Sequence, residues 1–347
     1  MNRTKLENKI IKILKKIIGN KSKKLHEPIF FGNEKKYVLD CIKSSFVSSV
    51  GKYVNIFENK VKKYTKSKNA VGIINGTCAL QIVLQSIGVK SNDEVIVPSL
   101  SFIATANAVR HCGAFPNFVD VEKKTLGICA GKLEKYLKKI SIKKKNFLIN
   151  KKTGRKITAL IAVHVFGMPC KIEEIKKVCK KFRIKVIEDA AEAIGSFYKK
   201  KHLGSFSEAG VISFNGNKTI TSGNGAMVIT ENKQLANRIR HLSTQAKIKH
   251  IWEYNHDDVG YNYRLSNINA AIGCAQMEKL PIILRAKRKN FQRYYTCLNK
   301  LNFVQILKEP PLTKSNYWLI TMKLNINFLK KNILLKKLYD SNFLCRP

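Results

Sequence analysis

The chain is poor in acidic residues. It has 23 Asp and Glu residues against 65 Lys and Arg residues, a formal net charge of +42 over 347 residues. One interpretation is a polyanionic partner, such as nucleic acid or a membrane surface. The other is compositional drift, because the basic residues are mostly Lys, accompany abundant Ile and Asn, and are spread along the chain. We favour drift, since basic composition alone is a weak motif.

The chain also lacks the segments typical of membrane and secreted proteins. No apolar run approaches the roughly 20 residues of a membrane span, so no transmembrane segment is expected. There is no secretory signal and no C-x-x-C spacing, and the number of cysteines is odd, which favours the reducing cytosol. The nine cysteines stand singly, at positions 41, 78, 112, 129, 170, 179, 274, 297 and 345. We expect no metal centre.

What is present is typical of a folded protein: 44% apolar and 25% charged residues. The length is sufficient for a large domain and a smaller one. Residues 4–18 predict a basic amphipathic helix that ends near Gly19. It is either a membrane-surface helix or a helix that packs on the body or on a partner subunit. We favour packing, because apolar residues at helical spacing usually indicate it.

Between residues 70 and 230 the pattern alternates strands with helices. The predicted strands are 70–74, 94–97, 117–120, 157–165, 185–188, 210–214 and 226–230. This alternation predicts an α/β domain with a mostly parallel sheet flanked by helices. Ligands of such sheets bind beyond the carboxyl ends of the strands. Asn75-Gly76-Thr77, Asp189 and the turn before Lys218 all fall at such ends.

After residue 275 the pattern changes to a helix followed by short strands, which predicts a second, smaller α+β domain. We therefore divide the chain into an N-terminal helical extension (1–24), a large domain (25–275) and a small domain (276–347).

Gly76 and Thr77 open a predicted helix. A helix N-terminus presents unpaired N–H groups and a positive dipole, so it holds phosphate well. Gly76 lets the backbone approach a ligand closely, and Thr77 can donate its hydroxyl. The alternative is that Thr77 is an ordinary N-cap, and these two residues alone favour the cap.

Asp189 ends an otherwise apolar strand, where a carboxylate is costly unless it is paired. A protonated pyridine nitrogen would be such a partner, as in pyridoxal 5'-phosphate (PLP), whose ring accepts electrons. The alternatives are a metal ligand or a helix cap before Ala190 and Ala191. These residues alone support the cap equally well.

Lys218 lies just past the predicted strand 210–214, in a turn that contains Gly216. An amine at this position can condense with an aldehyde. The alternative is a solvated surface lysine, and in a chain so rich in lysine the chemistry of the residue alone does not distinguish Lys218.

Five segments, taken together, resemble one family. They are Leu25-His26-Glu27-Pro28, 75–120, Glu188-Asp189-Ala190-Ala191-Glu192, 213–223 and Gly260-Tyr261-Asn262-Tyr263-Arg264. In this order they resemble the nucleotide-sugar aminotransferases of the DegT/DnrJ/EryC1/StrS family, from about residue 25 to the C-terminus. Residues 47–52 (VSSVGK) and 213–218 (SFNGNK) are similar to the branch that makes 4-amino sugars for legionaminic acid and bacillosamine pathways.

The resemblance implies a fold-type-I PLP aminotransferase that is a homodimer with active sites at the subunit interface, and the cysteine pattern predicts that it is cytoplasmic. Lys218 would form a Schiff base with PLP and shuttle the proton, and Asp189 would pair with the pyridine nitrogen. Glu192 stands where many relatives carry Gln, near the cofactor hydroxyl or the substrate. His164, at a strand end near the same site, either contacts the substrate or only packs.

The remaining cofactor contacts that the resemblance implies fall into two groups. Phe102 would stack on one face of the ring and Ala191 on the other. The phosphate would be held by Gly76, Thr77, the backbone of Cys78, Ser213 and, from the neighbouring subunit, Asn262.

The implied reaction has two halves. Glutamate would give its amino group to the cofactor and leave as 2-oxoglutarate. The group would then pass to C4 of a 4-keto-6-deoxy nucleotide sugar, expected to be a UDP-linked N-acetyl hexosulose, for surface-glycan biosynthesis. Both halves move a proton next to an imine, so one lysine can serve both.

The chain departs from the family in two places. After the lysine, relatives usually read Gly-Glu-Gly-Gly or Gly-Gly-Gly-Gly, whereas this chain has Gly223-Asn224-Gly225-Ala226. An alanine at 226 is tolerable if its φ is negative. Relatives also continue for several dozen residues beyond the Arg-Pro pair that stands at 346–347. We therefore expect the small domain to be incomplete, which puts turnover in question.

Other functions compete with this one. A PLP-dependent sugar dehydratase has the same fold, but such relatives replace the lysine with His. A catalytically inactive scaffold or remnant is favoured by the shortened end and opposed by the intact Asp189 and Lys218. A nucleic-acid binder rests on charge alone, because no stretch suggests a basic groove with interleaved aromatic residues.

Overall fold

The structure is a computed structural model that describes residues 3–19, 25–324 and 331–347. The first helix lies where residues 4–18 predicted one, and ten α-helices are present in the described part of the chain. They are α1 (Arg3–Ile18), α2 (Glu34–Lys43), α3 (Lys52–Thr65), α4 (Gly76–Ser86), α5 (Ile103–His111), α6 (Ala130–Ile140), α7 (Ile172–Phe182), α8 (Lys233–Leu242), α9 (Asn267–Leu298) and α10 (Lys331–Asp340).

The strands are short and mostly apolar. They are β1 (Asn69–Ile73), β2 (Glu94–Pro98), β3 (Phe115–Val119), β4 (Ser141–Lys144), β5 (Phe147–Asn150), β6 (Ile157–Val163), β7 (Lys185–Asp189), β8 (Phe197–Tyr198), β9 (Lys201–His202), β10 (Ala209–Ser213), β11 (Ala226–Thr230), β12 (Val304–Ile306), β13 (Thr313–Lys314) and β14 (Met322–Leu324). Seven of them form one sheet in the order β1-β11-β10-β7-β6-β2-β3.

Within this sheet only β11 runs against its neighbours, since it pairs antiparallel with both β1 and β10. The other neighbouring pairs are parallel. Every residue of β6, β10 and β11 is buried, as expected for strands covered on both faces. The prediction of an α/β domain with a mostly parallel sheet is therefore confirmed.

Helices cover both faces of the sheet. Apolar residues of α4, α5 and α8 pack on one face. Those of α3 and α9 cover one half of the other face, and α6 and α7 cover its second half. The first residue of β11 is Ala226, which pairs with Ile73 and Ser213 and does not have a positive φ. The departure from the family's glycine at this position is accommodated as expected.

The N-terminal helix packs on the body of the protein. The buried residues Leu6, Ile10 and Leu14 of α1 lie in a cluster with residues of α9 and α10. This supports the packing interpretation rather than the membrane-surface helix. Among the described residues no helix is both long and apolar enough to span a membrane.

The predicted domain boundary after residue 275 falls inside a helix. The helix α9 continues across this position from Asn267 to Leu298. Beyond it, β12 pairs with β14, while β13 pairs with β8 in a separate three-stranded sheet that also contains β9. The three-part division of the chain stays a prediction.

Candidate active site

The sheet brings the predicted residues to its carboxyl edge. Asp189 ends β7, Ser213 ends β10, and β1 runs in the same direction as both before the chain enters α4. Gly76, at the start of α4, lies beside Ser213, because a Cβ added to Gly76 would stand 3.5 Å from the Ser213 Cβ. A side chain at position 76 would therefore contact Ser213.

Asp189 is buried and held by two donors. Its Oδ1 accepts a hydrogen bond from the N–H of Ala191 (3.1 Å) and its Oδ2 accepts one from the Thr105 hydroxyl (2.8 Å). The chain turns after Asp189 without starting a helix, so the helix-cap interpretation is wrong. In the described part of the chain no group of three or more His, Cys, Asp or Glu residues could hold a metal ion. Sequence reasoning missed Thr105, which lies 84 residues away along the chain.

The N-terminus of α4 is capped by Asn75 and not by Thr77. The Asn75 Oδ1 accepts a hydrogen bond from the N–H of Cys78 (2.9 Å), and Thr77 lies inside the first turn. The cap interpretation of Thr77 is therefore wrong. The N–H of Cys78, which the family resemblance assigns to a phosphate, is used by this cap. Asn75 would have to release it before a ligand could accept it.

Lys218 and Glu192 form an ion pair in a half-buried position. The Lys218 Nζ lies 3.3 Å from the Glu192 Oε1, and the N–H of Phe166 donates to the other carboxylate oxygen (2.7 Å). Burial raises the pKa of the Glu192 carboxyl, an effect that the nearby Lys218 ammonium opposes. The Glu192 carboxylate thus orients the Lys218 amine and balances its positive charge.

The amine of Lys218 also lies over an aromatic ring. Its Nζ is 4.3 Å from the centroid of Trp318, a cation–π contact. The indole N–H of Trp318 donates to the carbonyl of Asn217 (2.8 Å). A buried tryptophan 100 residues further along the chain therefore holds the turn that carries Lys218. No short motif around Trp318 signalled this contact.

Asn316 joins the same turn to the Asp189 loop. Its side-chain amide donates to the carbonyls of Glu192 (2.8 Å) and Ile194 (2.9 Å) and to the Thr219 hydroxyl (3.1 Å). Its Oδ1 accepts from the N–H of Trp318 (2.9 Å). A single buried side chain therefore fixes the relative position of the two loops that carry Glu192 and Lys218.

His164 is fully buried, and both of its ring nitrogens are engaged. The Nδ1 accepts a hydrogen bond from the N–H of Cys170 (3.2 Å), so the Nε2 is the atom that donates to Glu188 (3.0 Å). Glu188 also accepts from the N–H groups of Gly204 and Phe206, both at 2.7 Å. Of the two interpretations of His164, the structure supports packing.

The remaining predicted residues lie at the surface or near it. Phe102 precedes α5 with 73% of its surface exposed. Ala191 is half-buried. Asn262 is exposed and pairs with Thr244 in an isolated β-bridge. The side chains of Phe102 and Asn262 are both exposed.

Comparison with known proteins gives consistent matches over most of the chain. A profile of the DegT/DnrJ/EryC1/StrS aminotransferase family matches residues 30–347. The GDP-perosamine synthase of Escherichia coli O157:H7 is 39% identical over 298 residues, which cover 86% of this chain and 77% of that protein. The GDP-perosamine synthase of Vibrio cholerae is 38% identical over 306 residues, which cover 88% and 78%.

Solved structures match as well. PseC of Helicobacter pylori, an aminotransferase involved in the biosynthesis of pseudoaminic acid, has a TM-score of 0.83 at 25% identity, over 93% of this chain and 83% of PseC. A Streptococcus pneumoniae protein solved in its PLP form has a TM-score of 0.81 at 21% identity, over 93% of this chain and 83% of that one.

Proposed function

Since the chain belongs to the DegT/DnrJ/EryC1/StrS aminotransferase family, we propose that it transfers an amino group from glutamate to C4 of a 4-keto-6-deoxy nucleotide sugar. It is a PLP-dependent sugar aminotransferase of fold type I, as the resemblance implied. The observation that carries the proposal is the meeting of Lys218, Asp189 and the N-terminus of α4 at one edge of the sheet.

The residues at this edge fit PLP in charge and chemistry. We assign the Asp189 carboxylate to the pyridine nitrogen and the Lys218 amine to the aldehyde carbon. We place the phosphate at the N-terminus of α4, where Gly76 lies beside Ser213. The contacts that complete this assignment are those of Phe102, Thr77, Cys78 and Ala191, with Asn262 contributed to the site of a second subunit.

When bound, PLP supplies an aldehyde carbon that exchanges oxygen for nitrogen and a ring that takes up electrons. Lys218 supplies the proton transfer: its Nζ takes a proton from the carbon that loses the amino group and returns one to the carbon that gains it. Glu192 accepts a hydrogen bond from this amine and keeps it aimed at the site. The overall exchange balances, because glutamate gains the carbonyl oxygen that the sugar loses.

The acceptor is a nucleotide sugar, and a UDP-linked N-acetyl hexosulose is our first candidate. A GDP-linked sugar is the second, because two of the similar proteins are named GDP-perosamine synthases. The excess of basic residues favours either nucleotide diphosphate, since a positive field attracts such anions. The purified protein should be given UDP-linked and GDP-linked 4-keto sugars separately. The rates at which it aminates them decide between the two candidates.

We also propose a homodimer. A segment close to Asn262 carries large apolar side chains that are mostly exposed, as expected of a surface that another subunit covers. They are Ile251, Trp252, Tyr254 and Val259. A second copy at this surface would place Asn262 near the neighbouring site. All nine cysteines are free thiols, which supports a cytoplasmic location.

The first test is covalent fixation of the cofactor. Protein purified with PLP should show a visible absorbance band, and borohydride should fix the cofactor to the peptide that contains Lys218, as read by mass spectrometry. Lys218→Ala should lose both signals, whereas Lys233→Ala, a matched change at an exposed lysine, should keep them. Fixation at a different lysine, or no band in the wild-type protein, contradicts the assignment.

The second measurement tests the half-reaction with glutamate. Glutamate alone should change the absorbance of the bound cofactor and yield one 2-oxoglutarate per site, because the amino group is then stored on the cofactor. Loss of the band without 2-oxoglutarate points to other chemistry.

A further inference from the structure

Two lysines contact Trp318, and a histidine lies near both of them. The Lys218 Nζ lies 4.3 Å from the Trp318 ring centroid, and the Lys287 Nζ, on α9, donates to the Trp318 main-chain oxygen at 3.1 Å. His26 is close enough to both lysines for each ammonium to act on its imidazole. Residues from three distant parts of the chain therefore converge next to the reactive amine.

Among the described residues, this cluster has fewer anionic partners than cationic groups. Lys218 is paired with Glu192, but within residues 3–19, 25–324 and 331–347 Lys287 has a neutral carbonyl as its acceptor and is in no ion pair. The Nδ1 of His26 is buried and has no hydrogen-bond partner. A buried polar atom without a partner costs free energy unless something binds to it.

The electrostatics of the cluster agree with this shortage of negative charge. Burial and the charges of Lys287 and Lys218 lower the pKa of His26 to about 4. Burial lowers the pKa of Lys287 to about 8. Both groups would regain their ordinary proton affinity beside an anion.

We propose that His26 and Lys287 form a subsite for the carboxylate of the amino donor, next to Lys218. This inference rests on the proposed function. A carboxylate there would accept charge-assisted hydrogen bonds from an imidazole N–H and an ammonium, the two donors that lack an anionic partner. The subsite therefore suits a ligand that carries an anionic oxygen group close to the atom that reacts at Lys218.

The amino donor matches this position better than the nucleotide does. In an amino acid the α-carboxylate is attached to the same carbon as the transferred amino group, so it must lie close to Lys218 when the amine reacts. In a nucleotide sugar the diphosphate is attached to C1 and lies across the ring from C4. The cluster contacts the amine of Lys218 through Trp318, which favours the nearer anion.

The test measures binding to the holoenzyme without turnover. Glutarate keeps both carboxylates of glutamate but lacks the amino group, and UDP carries the diphosphate, so calorimetric titration of each separates the two sources of anion. We expect His26→Phe and Lys287→Met each to raise the dissociation constant of glutarate about tenfold or more. UDP binding should change less than about twofold. Lys289→Met, at an exposed lysine on the same helix, should leave both unchanged.

Two further measurements protect the test against misfolding. Lys287→Arg keeps the charge and should restore most of the glutarate affinity, and the visible band of the bound cofactor shows that each variant keeps its site. In the wild-type protein, the imidazole resonances of His26 should shift when glutarate is added.

Three results would overturn the subsite: no glutarate binding to the wild type, unchanged affinity in both variants, or a loss of UDP affinity in place of glutarate affinity. These differ from a failure of the proposed function, which is seen when glutamate leaves the cofactor band of the wild type unchanged.

Discussion

Thr105 decides how firmly Asp189 is held. Its hydroxyl is one of two donors to this buried carboxylate, and it reaches Asp189 from α5 on the neighbouring part of the sheet edge. A hydrogen bond to a charged group contributes about 1.5–3 kcal/mol. Fixing the carboxylate in advance matters because it must face a cationic ring nitrogen in the proposed site.

We therefore expect Thr105→Val to weaken PLP binding by about tenfold or more, because the hydroxyl is lost while the shape is kept. The dissociation constant follows from titration of the apoprotein with PLP, read by absorbance. Ser101→Ala is the control. It removes a hydroxyl that contacts Thr105, but it keeps the hydrogen bond from Thr105 to Asp189. Equal affinity of Thr105→Val and wild type would show that the Ala191 N–H is sufficient.

At the scale of single residues the sequence was a partial guide. Asp189 could be singled out because it ends a short apolar strand, whereas Ser213 and Lys218 were selected by the family resemblance. Thr105, Asn316, Trp318 and Lys287 could not, because their contacts join residues that are far apart in the chain. Long-range contacts of this kind leave no local pattern. The family resemblance named the cofactor but not these supports.

At the scale of elements, α1 shows how an amphipathic pattern translates into packing. Its lysines are exposed, while Leu6, Ile10 and Leu14 are buried with residues of α9 and α10. The helix thus closes over the end of α9 that also carries Phe291 and Leu298. The pattern predicted the buried face, but it could not identify the surface that covers it.

Truncation of this face tests whether α1 is part of the folded body. Ile10→Ala should lower the free energy of unfolding by about 2–4 kcal/mol, because it leaves a cavity in a closed cluster. Denaturant unfolding measures the change. Lys9→Ala, at the neighbouring exposed position, should change stability by less than about 0.5 kcal/mol. If both variants unfold like the wild type, α1 is not packed in solution.

Element boundaries were predicted less well than element types. The strand expected to run from 157 to 165 ends at Val163, after which a 3-10 turn contains Phe166 at a positive φ of 57°. This turn brings the N–H of Phe166 to Glu192. The predicted domain boundary fell inside α9 because a change in pattern marks a change in packing partners and not the end of a helix.

At the scale of the whole molecule, the buried His202 contributes to the response to acid. His202 is fully buried, its Nε2 accepts from the N–H of Gly195, and its Nδ1 faces the carbonyl of Leu203. Burial lowers the pKa of His202 to about 4, against 6.5 for the ordinary group. His164 and Glu188 are the charged or titratable groups that act on it, with opposite effects.

The unfolded chain therefore binds a proton at this residue at a higher pH than the folded protein does. The stabilisation is complete above about pH 6.5 and is lost as the pH falls toward 4. Unfolding in denaturant at pH 7, 6 and 5 should show falling stability. The free energy of unfolding should depend less steeply on pH in His202→Asn, by an amount that corresponds to at most one proton. The pH dependence should be unchanged in His256→Asn, a substitution at an exposed histidine. Identical slopes in all three proteins contradict the argument.

The tie between Trp318 and Asn217 has a practical consequence. It joins a segment beyond α9 to the residue just before the lysine that we assign to the cofactor. Unfolding of that segment would release the turn that carries Lys218, and the proposed binding site of PLP would be disturbed. The visible absorbance expected of the PLP-bound protein would then report whether residues 299–320 are folded. It can be read in a crude preparation before any assay of turnover.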